Sequence, residues 1–486
     1  MQTRRKFIKN SAIFSAGLLA IHSEAFGFQS DGFNFPMKEF VSKRPPLAER
    51  KFTSKAIEAA IVRVKKQIAN PELAWLFENC FPNTLDTTID FEIIDGKPDT
   101  YVITGDIDAM WLRDSTAQIW PYLPFIKEDA KLKELIKGVI NRQTKCILLD
   151  PYANAFYKDF NQVSEWKDDI TKMKPGIHER KWEIDSLCYP IRLAYGYWKE
   201  TGDTSPFDKD WKESMRLVLQ TFKEQQRMHD KGPYSFQRTT AWATDGVPLS
   251  GYGYPMKPCG LIVSTFRPSD DSTLFGYLIP SNMFAIEVLG YLVEMFSSPK
   301  IKDEALVDIS KELQQQVQNG LKENGIIDHP KFGKIIAFEV NGYGSFHMMD
   351  DANVPSLLSL PYLGAIQPNE PLYLTTRKVV LSENNPFFYK GKAGEGVGGP
   401  HTGTDTIWPM SIILRAITSV DEKEIQMCIG MLLKTHADTG FMHESFHKDD
   451  ATQFTRKWFA WANTLFGELI IHTSVQYPKI LANKNM

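Results

Sequence analysis

Two concentric rings of helices, closed into an all-α toroid with short β-hairpin insertions, are the fold that this sequence predicts. Three observations carry that expectation. Apolar residues recur at helical spacing along almost the whole chain. The helices are of two kinds: DEALVDISKELQQQVQNGLKENG is polar on one face, whereas WFAWANTLFGELII is apolar almost all round, as an outer and a doubly buried inner layer would be. Polar clusters also recur just ahead of the inner kind, in WLRDSTAQIWPYL, KWEIDSLCYPIRLAY, RPSDDSTLFGYLIPSNMF, MDDANVPSLLSL and HTGTDTIWPMSIIL.

The periodic stretches run through 54–69, 130–148, 182–200, 209–228, 281–296, 303–323, 405–417, 423–435 and 456–473, with shorter candidates between. Strand-like text is confined to pieces such as FEIIDGKPDTYVIT, where Asp95 and Gly96 supply turn chemistry, and KIIAFEV at 334–340. No linker or low-complexity tract divides the chain. Despite its 486 residues, 52–486 therefore reads as one catalytic-sized domain, preceded by an extension at 28–51. Residues 1–27 read as an export signal: Arg4 and Arg5 form a twin-arginine-like basic start, an apolar run follows from Ala12 to Ile21, and small residues close it. That run is short for a membrane span. The expected mature protein is soluble and periplasmic, with no membrane partner.

Composition narrows the function. Hydrophobic residues make up 43% and charged residues 24%, enough for a large core. Net charge is −3 with Lys and Arg scattered among acids, which excludes an electrostatic grip on nucleic acid or anionic lipid. Five widely spaced cysteines, Cys80, Cys146, Cys188, Cys259 and Cys428, fit neither a disulfide framework nor a CxxC metal pattern and read as buried thiols. Aspartates at helix starts, such as Asp114, Asp185 and Asp405, are ordinary N-caps taken singly. Caps do not require Arg113, Trp111, Trp182, His178, Glu179, His347 and His401 at the same openings. In a toroid those openings converge at one end, giving a cleft of carboxylates, imidazoles and indoles that suits a sugar.

With these residues in view the chain resembles a known family. TGDIDAMWLRDS, RPSDDSTLFGYLIPSNMFA, the text at 338–344, MDDANVPSLL and GGPHTGTDTIWPM are similar to the bacterial and fungal exo-α-1,6-mannosidases of glycoside hydrolase family 125, from about Phe52 onward. The resemblance implies an (α/α)6 barrel that releases non-reducing terminal α-1,6-linked mannose, from mannan or N-glycan-type oligosaccharides, by inversion and without a metal or other cofactor. Inversion needs a carboxylic acid that protonates the leaving oxygen and a carboxylate that activates water on the other face, roughly 6.5–9.5 Å apart. The family's acid falls on the pair in RPSDDS. Asp271 takes that role ahead of Asp270, since it abuts the helix-opening Ser272; the neighbouring charge keeps a proton available near neutrality. The family's base falls on Glu444 in TGFMHESFH, with Glu395 of the glycine-rich GEGVGG loop as its substitute.

Supporting roles follow from the same resemblance. Asp108, Arg113, Asp114 and Asp270 grip hydroxyls, as charged hydrogen bonds do best; Trp111 and Trp182 are candidate sugar platforms; His178, Glu179, His347, Asp350, Asn353, His401 and Thr402 are further candidate contacts. One competing motif needs weighing. His443-Glu444-Ser445-Phe446-His447 matches H-E-x-x-H, in which two histidines one helical turn apart bind zinc, with Glu468 as a possible third ligand. That zinc metallopeptidase reading requires a helix, and the flanking Gly440 and Asp449-Asp450 read as loop. A calcium-dependent glycosidase on a similar toroid and a non-catalytic glycan-binding protein also fit a helical ring with a sugar-lined cleft.

Overall fold

The computed structural model describes residues 39–484, so the export signal read at 1–27 lies outside the described residues. Residues from Phe40 onward form one compact unit. Twelve helices of eight residues or more stand among the described residues: α1 (Lys55–Lys65), α2 (Pro71–Cys80), α3 (Leu112–Ile119), α4 (Ala130–Leu149), α5 (Ile184–Thr201), α6 (Lys209–Gln225), α7 (Ile279–Ser297), α8 (Glu304–Asn324), α9 (Pro371–Val380), α10 (Pro409–Ile417), α11 (Glu422–Thr435) and α12 (Ala460–Gln476).

Packing sorts them into two rings. The inner contacts run α12 to α3, α3 to α5, α5 to α7 and α10 to α12, while α2, α4, α8 and α11 back onto them from outside, α6 packs between α4 and α8, and α9 lies against the strand Gly333–Ile336. Between α7 and α10 the inner place is filled by the buried turns at 350–364, held by Tyr189 Oη to the Val354 carbonyl at 3.0 Å and Tyr373 Oη to the Leu358 carbonyl at 2.9 Å. The all-round apolar text of α12 is buried along nearly its whole length, and the one-faced α8 buries a single stripe, so the two-layer expectation holds. Helix α7 has the length and apolarity of a membrane span, but 67% of that window is buried in the ring, which makes it a core helix.

The predicted stretches correspond to helices, two of which start four residues late. Pro409 opens α10, and 405–408 is strand and turn; α12 begins at Ala460 rather than 456. The hairpin at Ile89–Ile94 and Lys97–Val102 turns on left-handed Asp95 and Gly96, as expected. It packs against α4, where Gly138 has no side chain because a Cβ would fall 2.2 Å from Thr100 Oγ1. KIIAFEV is not one strand: Gly333–Ile336 pairs with Ile326–His329, whereas Glu339–Val340 joins a different sheet. Cys80, Cys146, Cys188 and Cys428 are buried and all five cysteines are free thiols.

Helix starts differ between the layers, α9 excepted, which opens on Pro371 without a side-chain cap. Ser54, Asn70, Asp129, Asp208, Asp303 and Asp421 each cap a helix outside the inner ring with a side-chain oxygen. The inner helices α3, α5, α7, α10 and α12 start at Trp111, Glu183, Leu278, Trp408 and Phe459 with no side-chain cap. Three of these starts are led in by two-residue strands, Met110–Trp111, Tyr277–Leu278 and Thr406–Ile407, each in a small three-stranded sheet.

Candidate active site

One guanidinium organises the inner-helix starts. Arg113, in the first turn of α3, places Nη1 2.5 Å from Glu183 Oε2 and 3.2 Å from Asp185 Oδ2, Nη2 3.3 Å from Asp270 Oδ1, and Nε 3.4 Å from Asp114 Oδ2. Asp114 and Asp185 are therefore partners of Arg113 rather than caps. Four carboxyl groups around one cation cannot all stay ionised when buried. Burial pushes Asp114 and Asp185 up to about 6, against the pull of Arg113. Burial raises Glu183 further, with Asp270 and Asp185 adding to the effect. Its Oε1 meets no other donor, and in the protonated form it donates to Asp270.

Asp270 sits in a turn that holds it in the left-handed region, φ 66°, an uncommon cost for a residue with a side chain. Lys181 Nζ grips its carbonyl at 2.8 Å, and Asn154 Nδ2 donates to its carboxylate at 3.2 Å. Burial acts to raise Asp270, but Arg113, Lys181 and the hydrogen bond from Glu183 together outweigh it and the group lies below the usual carboxylate range. Beside it Glu179 is held by Arg238 at 2.9 Å and Lys181 at 3.3 Å; those cations overcome burial and depress it strongly. His178 donates to or accepts from Tyr157 Oη at 2.9 Å and meets the edge of Trp111 at 5.2 Å; burial lowers its affinity for a proton. Trp111 Nε1 is buried without a hydrogen-bond acceptor among the described residues.

The next residue faces elsewhere. Asp271 accepts from Ser269 Oγ at 2.9 Å, and its Oδ2 lies 3.7 Å from His401 Nδ1. Burial acts to raise it, but His401, Thr244 and Ser269 together more than compensate, so the carboxyl lies below its usual range and not above it, where the neighbouring Asp270 charge is expected to place it. Arg267 Nε, bonded to Glu339 at 2.7 Å, braces the turn, since Glu339 also accepts the Leu274 and Phe275 amides. His347 Nδ1 is 3.5 Å from the same Glu339. Asp351 is fully buried, raised first by burial and further by Asp271, and both its oxygens lie 3.1 Å from where a Cβ on Gly399 would stand.

Glu444 stands just before the strand Ser445–His447 and 3.4 Å from Arg456 Nη1; Arg456 also pairs with Asp106 and donates to the Thr104 carbonyl. Two contact chains connect Glu444 to the aspartate pair. One runs from Arg456 over Phe459 (4.8 Å), to Trp408 (6.2 Å), to His401 (6.2 Å) and Asp271. The other runs from Arg456 by charge to Asp114, then Arg113 and Asp270.

The H-E-x-x-H segment is not helical, so its histidines are not stacked one turn apart. His443 Nδ1 lies 2.9 Å from the Lys457 carbonyl and Nε2 3.2 Å from the His436 carbonyl, while the ring stacks on Phe454. Neither nitrogen is aimed at a metal. Glu468, the suggested third ligand, is half-buried on α12 and accepts from Tyr362 Oη at 2.9 Å.

Several expected site residues have other duties. Trp182 is a core side chain, its Nε1 bonded to the Val263 carbonyl at 2.7 Å, not a platform. Asp350 uses both oxygens on the Leu357 and Leu358 amides, at 2.7 and 3.0 Å, and burial pushes it up to about 8; it shapes the inner turn. Asn353 braces Asp351 at 3.1 Å, and Thr402 accepts from Trp408 Nε1 at 3.0 Å. Asp108 is exposed on the loop whose Asp106 takes the pairing with Arg456. Glu395 is tied to Arg415 and Lys390, both at 2.9 Å, in an outer hairpin, which removes it as a substitute base. Asn154, Lys181, Glu183, Arg238, Arg267, Glu339 and Arg456 escape a reading of the sequence, because each reaches the site only through contacts distant along the chain.

A cleft of about 800 Å³ opens beside Asp271. Thr244, Arg267 and Ser272 belong to its wall, but Asp271 and Glu444 do not line it. Known proteins share both the sequence and the fold. Residues 70–471 match the family described as metal-independent alpha-mannosidase (GH125). The meiotically up-regulated gene 157 protein of Schizosaccharomyces pombe is 43% identical over 460 residues, covering 90% of this chain and 89% of that protein. A Streptococcus pneumoniae metal-independent α-mannosidase, solved as a non-productive substrate complex with α-1,6-mannobiose, superposes with a TM-score of 0.83 at 42% identity, over 87% of this chain and 99% of that one.

Proposed function

Because this chain belongs to glycoside hydrolase family 125, the metal-independent α-mannosidases, we propose that it releases terminal α-1,6-linked mannose from the non-reducing end of oligomannosides with inversion. The α-1,6 linkage is supported by the disaccharide held by the Streptococcus pneumoniae relative. Asp271 protonates the departing oxygen, and Glu444 takes a proton from the water that attacks the opposite face.

The observation that carries this assignment is the different company the two adjacent aspartates keep. Asp270 is clamped by Arg113, a permanent cation, and by Asn154, which suits a carboxylate that grips hydroxyls and never gives up a proton. Asp271 forms no arginine ion pair among the described residues; its ion-pair partner is the His401 imidazole, 3.7 Å from Oδ2, so it is the carboxyl of the two that is left to carry a proton to an arriving glycosidic oxygen. Glu444 is paired with Arg456, whose charge also reaches Asp114 beside Arg113. Trp111, His178 and Glu179 lie on the Asp270 side and hold the terminal mannose. Export through the residues at 1–27 is part of the same proposal and rests on their sequence alone.

Proton NMR of α-1,6-mannobiose hydrolysis tests it. The expected first product is β-mannose, with Asp271→Asn and Glu444→Gln both slowed by a factor of about 10² or more, the scale on which general acid–base groups act. First-formed α-mannose refutes inversion, and an Asp270→Asn variant that alone loses turnover moves the acid to its neighbour.

A further inference from the structure

We infer that the cleft beside Asp271 is a distal subsite for the third and fourth mannose units of an α-1,6-linked oligomannoside, with the Trp242 and Tyr254 rings as its stacking faces. This rests on the mannosidase reading above, in which the acid marks the side from which the aglycone leaves. The general acid must reach the glycosidic oxygen, so the remaining sugar chain lies on the acid's side and the attacking water on the base's. The cleft is on the acid's side. Its wall residue Arg267 donates its amide to the Asp271 carbonyl at 2.7 Å, and its wall residue Ser272 donates to the Thr244 carbonyl at 2.8 Å.

Size and chemistry fit the same occupant. A volume of about 800 Å³ is on the scale of pockets that take drug-sized ligands, roughly 300–1,000 Å³, rather than a slot for one ring. Trp242 is 49% and Tyr254 48% exposed, and both line the cleft. Large flat apolar faces left in water at a concave site mark a surface for a ligand that is itself part apolar, as the C–H faces of a pyranose are. Gln237, Thr240, Thr273 and His347 supply hydrogen-bonding groups around them, with no carboxylate among the lining residues.

The segment that carries both rings is fixed in place. Gly251 accepts the Phe236 amide at 3.1 Å, Lys257 donates to the Asn341 carbonyl at 2.9 Å, and Thr244 is tied to Ser272. Leu249 and Ser250 at its bend are both left-handed, at φ 53° and 60°. An immobilised platform loses little entropy when a sugar stacks on it.

Steady-state kinetics on α-1,6-linked mannobiose, mannotriose and mannotetraose, with wild type, Trp242→Ala, Tyr254→Ala and the double variant, test this. The expected result is that wild-type kcat/KM rises from mannobiose to mannotriose. In the double variant, kcat/KM for mannotriose should fall at least ten-fold further than for mannobiose, with Trp242→Phe recovering part of the loss. An equal loss on both substrates, or none on either, overturns the subsite. Wild type that turns over neither substrate overturns the mannosidase reading itself, and this inference with it.

Discussion

Replacing Arg113 by methionine would leave Glu183, Asp185, Asp114 and Asp270 around a buried apolar side chain. The four contacts removed lie between 2.5 and 3.4 Å, and the Arg113, Glu183 and Asp185 side chains are at most 4% exposed. Removing one partner of a buried ion pair costs about 3–5 kcal/mol because the other charge is stranded. The loss should depend on pH in a definite direction. Without Arg113 the carboxyls, already raised by burial, climb further, so the folded variant takes up protons between pH 7 and 5 where the unfolded chain and the wild type bind fewer. More protons in the folded state means stability gained as pH falls. Urea denaturation followed by tryptophan fluorescence at both pH values should show a cost of about 3–5 kcal/mol at pH 7 that shrinks by about 1 kcal/mol or more at pH 5. Adding Asp185→Asn should recover part of the loss at pH 7. A cost below about 1 kcal/mol at pH 7, or one that grows on acidification, would show that the cluster is solvated and the reasoning wrong.

Other consequences are as direct. Asp185→Asn alone mimics the protonated acid. The wild-type group, at about 6 when folded and roughly 3.9 when unfolded, contributes stability that is full below about 4 and lost as pH rises through 6. The variant should therefore be more stable than wild type at pH 7 and not at pH 4, measured by the same denaturation. Gly399→Ala forces a Cβ to 3.1 Å from both Asp351 oxygens and should cost about 1–3 kcal/mol as overpacking does, with reduced turnover as Asp351 is displaced towards Asp271. Glu395→Gln, remote in its pairing with Arg415 and Lys390, should leave kcat/KM within roughly three-fold; a hundred-fold loss would return it to the site. Exhaustive dialysis against a chelator should leave mannobiose turnover intact, and restoration of a lost rate by zinc or calcium would contradict the metal-free chemistry.

The helices were legible because their apolar periodicity is a local property, and so was the two-ring fold, since α8 and α12 announce their layers in their own residues. Helix starts were less legible. Asp114 and Asp185 look like caps in sequence, and only the fold reveals that Arg113 claims them both. The cation beside Glu444 was hidden for the same reason: Arg456 reaches the Thr104 carbonyl across 352 positions. Aromatics misled in both directions. Trp182, in a polar cluster, is core, whereas Trp242, in unremarkable loop text, stands exposed at the cleft. The flanks of H-E-x-x-H argued rightly against zinc, because a zinc pair needs a helix and this segment is a strand.

The most direct measurement is a crystal structure of the Glu444→Gln variant holding α-1,6-mannobiose. The account predicts that the glycosidic oxygen accepts a hydrogen bond from Asp271. It also predicts a water held by residue 444 beneath the anomeric carbon, and carboxyl positions roughly 6.5–9.5 Å apart. A glycosidic oxygen bonded instead to Asp270, or a disaccharide bound away from residue 444, would contradict it.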